Sequence, residues 1–189
     1  IGVRGTGAAY DFYADGPGTN YGPFTGAHEV KFDRDFPVDP LRGLIVSATG
    51  KTEIRKDDQG EASISSTLPT VKLASAPNDP AVLGALVKES PLGKDHWYSA
   101  KEKERFGIVN ALGEGRVWVT NVNGNLKAGD FITTSVIPGY GQKQDDDLFH
   151  NYTLGKITET VDWDKVTETI EHNGKKYKKY LIGVVYYSG

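Results

Sequence analysis

The 189-residue sequence contains no cysteine and no methionine. Without cysteine, a disulfide framework, a zinc–thiolate site and a cysteine nucleophile are all excluded. Translation begins with methionine, whereas this sequence begins with Ile1. We therefore expect the chain to be a processed product or part of a longer protein, with the missing part upstream.

The sequence also lacks an excess of charge of one sign and any long apolar run. Its 22 basic and 25 acidic residues give a formal net charge of −3 and are mixed along the chain, which argues against a general nucleic-acid-binding protein. No apolar run reaches the length of about 18 residues that suggests a membrane-spanning helix. We expect neither a nucleic-acid partner nor membrane insertion.

Glycine and tyrosine, in contrast, are abundant. The 23 glycines and 10 tyrosines are typical of many short strands joined by tight turns, and helix-forming composition is confined to residues 98–105. The composition predicts a mainly β domain, an antiparallel barrel or sandwich of about eight to ten short strands with very little helix.

Strand-forming segments follow one another from Gly43 onward. In the last hairpin, Asn173 and Gly174 separate two such segments and favour a type I′ turn, in which both central residues take positive φ. The expected strands are residues 43–48, 70–74, 81–87, 106–112, 116–120, 131–135, 154–161, 166–171 and 177–187.

The N-terminal part has a different character. The first 26 residues carry seven glycines and show no helical periodicity, which indicates an extended, loop-rich segment. We therefore divide the chain into a glycine-rich linker, residues 1–30, and a β-rich domain, residues 31–189. Aromatic rings in the linker need a neighbouring subunit or an upstream region to bury against; they are Tyr10, Phe12, Tyr13, Tyr21 and Phe24.

Metal-ligating patterns are sparse. No two of the four histidines are separated by a typical ligand spacing. The metal-site candidate is the run Asp145, Asp146 and Asp147 followed by His150, which puts hard oxygen ligands beside an imidazole. The run lacks the glycine and distal glutamate of a calcium loop, so the alternative is three solvated carboxylates.

Catalytic patterns are absent from the sequence. It contains no nucleophile elbow of the G-x-S-x-G type, and the glycines of residues 113–115 lie between strands without the helix that a phosphate-binding loop needs. We assign no catalytic residues and expect no cofactor. His28 is interpreted as a buried hinge residue.

Aromatic side chains on predicted loops are the recognition candidates. They are Trp97, Tyr98, Tyr140 and Trp163, and exposed rings of this kind stack on sugars or anchor protein interfaces. The alternative is that each ring packs against its own domain or a neighbouring subunit.

Residues 108–163 resemble a module found at the C-terminal ends of tailed-bacteriophage fibre, tailspike and appendage proteins. Residues 9–30 are similar to the segment that joins such modules to an upstream shaft, and the terminal YLIGVVYYSG is similar to their final strand. The motifs that carry the resemblance are NALGEG (residues 110–115), GNLKAGD (124–130), a strand ending in TTS (133–135), a Pro-Gly turn (138–139), DDDL (145–148) and LGK (154–156).

The resemblance implies a virion structural protein, the trimeric tip or cap of a fibre or spike. Its partners would be two further copies, the upstream shaft and a host-surface polysaccharide or protein. Some relatives are intramolecular chaperones that register the fibre trimer and cleave themselves off, so a self-cleaving domain is one alternative. A carbohydrate-binding module is the second alternative.

Overall fold

A computed structural model describes residues 26–54, 56, 60–62, 67–90 and 104–188. Within these ranges the chain is mainly β-structure, which confirms the predicted fold class, and its helical content is one 3-10 turn, Asn121–Asn123. The strands are β1 Gly26–Phe32, β2 Ile45–Ile54, β3 Thr67–Leu73, β4 Val82–Ser90, β5 Phe106–Thr120, β6 Phe131–Thr134, β7 Gly141–Lys143, β8 Gly155–Ile157, β9 Thr169–His172 and β10 Lys175–Tyr187.

The ten strands form one sheet whose pairings close on themselves twice. The first circuit runs β1–β3–β2–β4–β5 and returns to β1. The second runs β5–β7–β6–β8–β10 and returns to β5. Strand β5 belongs to both circuits, and β9 adds to the sheet through a hairpin with β10.

The sheet is mixed rather than purely antiparallel. The pairs β1–β3 and β5–β7 are parallel, and the other pairings are antiparallel. A closed circuit with an odd number of strands cannot alternate in direction throughout, so each five-stranded circuit requires a parallel pair. This constraint comes from closure, which local sequence patterns do not reveal.

The prediction of two strands, residues 106–112 and 116–120, is wrong, because these residues form the single strand β5. The glycine segment between them does not turn, because Gly113, Glu114 and Gly115 stay paired with β10. A side chain at Gly115 would place its Cβ 2.6 Å from the ring of Tyr186. The glycine thus admits a neighbouring ring and does not end the strand.

The β domain also begins earlier than residue 31. Residues Gly26 to Val30 lie in β1 and pair with β5, although the sequence placed them in the linker. His28 is an exposed residue of this strand, which corrects its interpretation as a buried hinge. Residues 1–25, the other part of the expected linker, and residues 98–103 of the expected helix lie outside the described ranges.

The described residues form three apolar clusters, and the two larger ones are centred on the two circuits. Val30, Phe32, Val46, Val71 and Val109 belong to the cluster of the first circuit. The larger cluster includes alternate residues of β10 together with neighbours from β5, β6 and β8, a period-2 pattern expected for strands with one buried face. Its members include Val117, Val119, Ile132, Ile157, Ile182, Val184 and Tyr186.

Two predicted turns are confirmed. Asn173 and Gly174 have φ of 50° and 73°, as a type I′ turn requires. Gly129 has φ of 94°, and the Asp130 carboxylate accepts a 2.8 Å hydrogen bond from the backbone N–H of Lys127. Lys143 Nζ lies 2.9 Å from the same carboxylate, so Asp130 ties this turn to β7.

Gly84 marks a close approach between β4 and β5. Its φ is 151°, and a Cβ there would lie 2.2 Å from the backbone oxygen of Asn110. Because backbone and not a flexible side chain would be displaced, we expect Gly84→Ala to destabilise the protein by roughly 3 kcal/mol in urea unfolding. The matched control is Gly174→Ala, where φ is also positive but no atom lies within 4 Å of the new Cβ. The control should lose only about 1 kcal/mol, and equal losses would contradict the close approach.

The contribution of Asp130 to folding stability should depend on pH. Burial disfavours its charged form, but the bonds from Lys143 and from the Lys127 N–H outweigh burial and lower the pKa of Asp130 below its usual value. The stabilisation is therefore complete above the unfolded-state pKa of about 3.9 and disappears as the pH falls through the lower folded-state value. Asp130→Asn should cost about 1 kcal/mol at neutral pH, and the cost should vanish in acid.

Thermal unfolding of the wild type and of Asp130→Asn, from neutral pH into acid, measures the difference in stability between the two proteins. Asp164→Asn, at an exposed position, is the control and should follow the wild type throughout. A deficit of Asp130→Asn that stays constant with pH would contradict the assigned role of the carboxylate.

Candidate interaction surface

The predicted recognition aromatics do not form one exposed face in the described structure. Trp97 and Tyr98 lie outside the described residues. Tyr140 is only 5% exposed and packs in a cluster with Leu44 and Ile137, while Trp163 is 8% exposed. The indole N–H of Trp163 donates to the carbonyl of Gly124 at 3.2 Å. For these two rings the structure corresponds to the alternative, packing within the domain.

The carboxylates of Asp145 and Asp146 bond to different side chains. Asp145 accepts a 2.7 Å bond from the side-chain amide of Asn123, and Asp146 accepts one from His150 Nε2 at 2.9 Å. In the described part of the chain, no three acidic or histidine side chains are grouped to hold a metal ion. The predicted site at Asp145, Asp146, Asp147 and His150 is instead part of a hydrogen-bonded loop.

Gln144 organises this loop, residues 144–153, from inside. The side chain is buried, and its amide nitrogen donates to the carbonyl of Leu148 at 2.7 Å and to the carboxylate of Asp146 at 3.0 Å. Its amide oxygen accepts a 2.7 Å bond from the hydroxyl of Thr153. The two ends of the loop are therefore joined through one side chain.

Asp146 and His150 strengthen the same loop from outside. The bond from His150, together with one from the backbone N–H of Leu148, lowers the pKa of Asp146. The His150 ring stacks on Tyr152, with centroids 4.6 Å apart and planes inclined by 20°. These contacts give the loop a defined conformation and direct two large apolar side chains outward, since Leu148 is 62% and Phe149 is 64% exposed.

Phe149 is one of three aromatic rings that meet at the surface. Its ring centroid lies 6.4 Å from that of Phe131 and 5.8 Å from that of Tyr187, and the rings meet edge to face. Leu112, directly opposite Tyr187 on β5, is 48% exposed. We call the surface formed by Leu112, Phe131, Phe149 and Tyr187 the Phe149 patch.

An exposed cluster of large apolar side chains is typical of an interaction site. Aromatic rings held in fixed positions lose little conformational entropy when they are covered. Lys156 lies beside the patch, with its Nζ 5.2 Å from the centroid of the Phe131 ring. The surface is therefore suited to an apolar or aromatic partner with some negative charge.

Sequence reasoning missed this surface because it selected tryptophan and tyrosine beside turns. The available signal was Leu148 and Phe149 directly after three aspartates, an apolar pair in an otherwise polar loop. Phe131 and Tyr187 could not be added to it from sequence, because they are far apart along the chain and meet only through the pairings of β6, β8 and β10.

Comparison with known proteins identifies no family for this chain: no protein-family model matches it, and no curated protein is significantly similar. Among the described residues, no helix has the length and apolar character required to cross a lipid bilayer.

The role of Gln144 can be tested by Gln144→Leu, which keeps the side-chain bulk but removes four hydrogen bonds. We expect a loss of about 2 kcal/mol, because the backbone and hydroxyl partners lose their bonds to the buried amide. Hydrogen exchange of residues 145–150 should accelerate.

The control is Asp147→Asn at an exposed position of the same loop, which should change stability by less than about 0.5 kcal/mol. If both variants exchange at the wild-type rate, Gln144 does not organise the loop.

Proposed function

We propose that this chain is a structural component of a virion, the C-terminal domain of a tailed-phage fibre, tailspike or appendage that assembles as a trimer. The proposal rests on the resemblance of residues 108–163 to that module. The domain would lie at the outer end of the fibre, where it faces the host surface.

The observation that carries the proposal is the role of the motif residues, which occupy positions with strict geometric requirements. In NALGEG, Gly113 has φ of 87° and Gly115 makes room for Tyr186. In GNLKAGD, Gly129 and Asp130 form a turn, and the Asp130 carboxylate pairs with Lys143 of β7. A motif whose residues shape turns and strand contacts is what a scaffold module requires.

The later motifs have comparable roles. Thr134 donates to the carbonyl of Ala76 at 2.7 Å, which joins β6 to the first circuit, and Ser135 donates to the carbonyl of Tyr140 at 2.7 Å. In DDDL, Asp146 holds the loop that presents Leu148. These four motifs therefore shape the scaffold, which favours a structural role for the domain.

The oligomeric state tests the proposal. Light scattering coupled to size-exclusion chromatography should give a mass three times the 20.6 kDa of the chain, and a dilution series should show whether the assembly persists. A chain that stays monomeric at every concentration would contradict the trimeric fibre assignment.

A further inference from the structure

We propose that a cavity beside strand β5, where β4 and β10 approach it, binds a small organic acid that also carries a hydrogen-bond donor. The cavity has a volume of about 260 Å³. Its lining includes two arginines, Arg42 and Arg116, one asparagine, Asn110, and apolar side chains such as Leu86 and Leu181. The inference concerns a ligand site and does not depend on the virion assignment.

The cavity exists because the segments beside β5 separate. Strand β4 pairs with β5 as far as Asn110. Gly43, whose N–H donates to the carbonyl of Leu86 in β4, bonds to β5 farther along, where its carbonyl accepts a 3.0 Å bond from the N–H of Trp118. The cavity lies between these two connections, and Leu181 of β10 also lines it.

The two arginines bring positive charge to the cavity. Both are exposed, and neither forms an ion pair with a carboxylate in the described ranges. Arg116 Nη2 donates to the carbonyl of Leu181 at 2.9 Å, and the indole N–H of Trp118 donates to the carbonyl of Arg42 at 2.9 Å. The first bond holds a guanidinium group that has further N–H donors. Guanidinium groups bind carboxylates and phosphates through paired hydrogen bonds, so the pair of arginines suits an oxyanion.

Asn110 contributes an acceptor that lacks a donor. Its Oδ1 is buried and accepts no hydrogen bond in the described structure, an arrangement that costs stability. The hydroxyl of Tyr186, which lines the same cavity, donates elsewhere, to the carbonyl of Arg116 at 2.6 Å. The terminal torsion of an asparagine side chain is soft, so a small rotation turns the amide of Asn110 toward the cavity. A ligand hydroxyl then supplies the missing donor.

The apolar part of the lining favours an organic ligand over a simple inorganic ion. Leu86 is buried, and Val87 and Leu181 are half-buried. Pockets for drug-sized ligands have volumes of about 300–1,000 Å³, so this cavity suits a smaller molecule, about the size of one ring with its substituents. Such a ligand would place its oxyanion at the arginines, its hydrocarbon against the leucines and its hydroxyl at Asn110.

4-Hydroxybenzoate is a suitable probe because it combines a carboxylate, one apolar ring and a hydroxyl. Titration into the full chain, followed by amide chemical shifts, should show saturable binding with a dissociation constant on the order of 1 mM or lower. 4-Hydroxyphenyl phosphate tests the same oxyanion chemistry with a phosphate. The neutral 4-hydroxybenzamide should bind at least tenfold more weakly than the better of the two acids. Equal binding of all three molecules, or binding of neither acid, would overturn the inference.

Substitution of the arginines tests where the acid binds. Arg42→Gln and Arg116→Gln should each weaken binding of the better acid roughly tenfold, because each removes a charged donor. The matched control is Arg34→Gln, at an exposed position outside the cavity, which changes the net charge by the same amount. The control should bind the acid like the wild type. Equal weakening in all three variants would overturn the inference, since the net charge alone would then explain it.

Benzoate separates the role of Asn110 from that of the arginines. It lacks the hydroxyl, so the wild type should bind it about threefold more weakly than 4-hydroxybenzoate. In Asn110→Leu the two acids should bind equally, because the acceptor is gone. An undiminished preference for the hydroxylated acid in this variant would contradict the inference. If the variant loses the far-ultraviolet circular dichroism spectrum of the wild type, the comparison of the two acids on the wild type decides, and equal affinities there would contradict it.

Discussion

The architecture depends on strand β5, which belongs to both closed circuits. Its first half pairs with β1 and β4, and its second half pairs with β10 and β7. This continuity requires glycine where neighbouring rings press against the strand: a Cβ would lie 2.3 Å from the Phe32 ring at Gly107 and 2.6 Å from the Tyr186 ring at Gly115. One unbroken strand thus contributes side chains to both larger apolar clusters and joins the two circuits into a single sheet.

The candidate interaction surface follows from this arrangement. Leu112 lies where the partners of β5 change, because it pairs both with Gly26 of β1 and with Tyr187 of β10. At this position the N-terminal segment enters and the last strand ends. The second circuit brings Phe131 beside Tyr187, and the loop organised by Gln144 adds Phe149. Strand closure and one buried amide therefore create a surface whose rings come from three distant parts of the sequence.

The candidate site could be predicted only in part. The DDDL segment was recognisable as a motif, but its carboxylates suggested a metal ion, whereas Asp146 in fact bonds to His150 and to the loop backbone. Tyr140 suggested recognition because it lies between two glycines, and Trp163 because it lies near the end of a predicted strand. Both are buried, because Tyr140 packs with Leu44 and Ile137 and Trp163 belongs to the largest apolar cluster. Flanking residues indicate a turn, but which side of the turn faces solvent depends on what packs beneath it.

The sequence by itself determined the β class, the positions of most strands and the turns at Gly129 and Asn173. These features arise from local preferences: glycine and asparagine accept positive φ, and alternating apolar residues bury one face of a strand. The tertiary structure decided the rest, namely the continuity of β5, the two parallel pairs and the gathering of the patch. Closure of odd-numbered circuits imposes the parallel pairs, and distant rings meet only after the circuits have closed, so no local pattern encodes either feature.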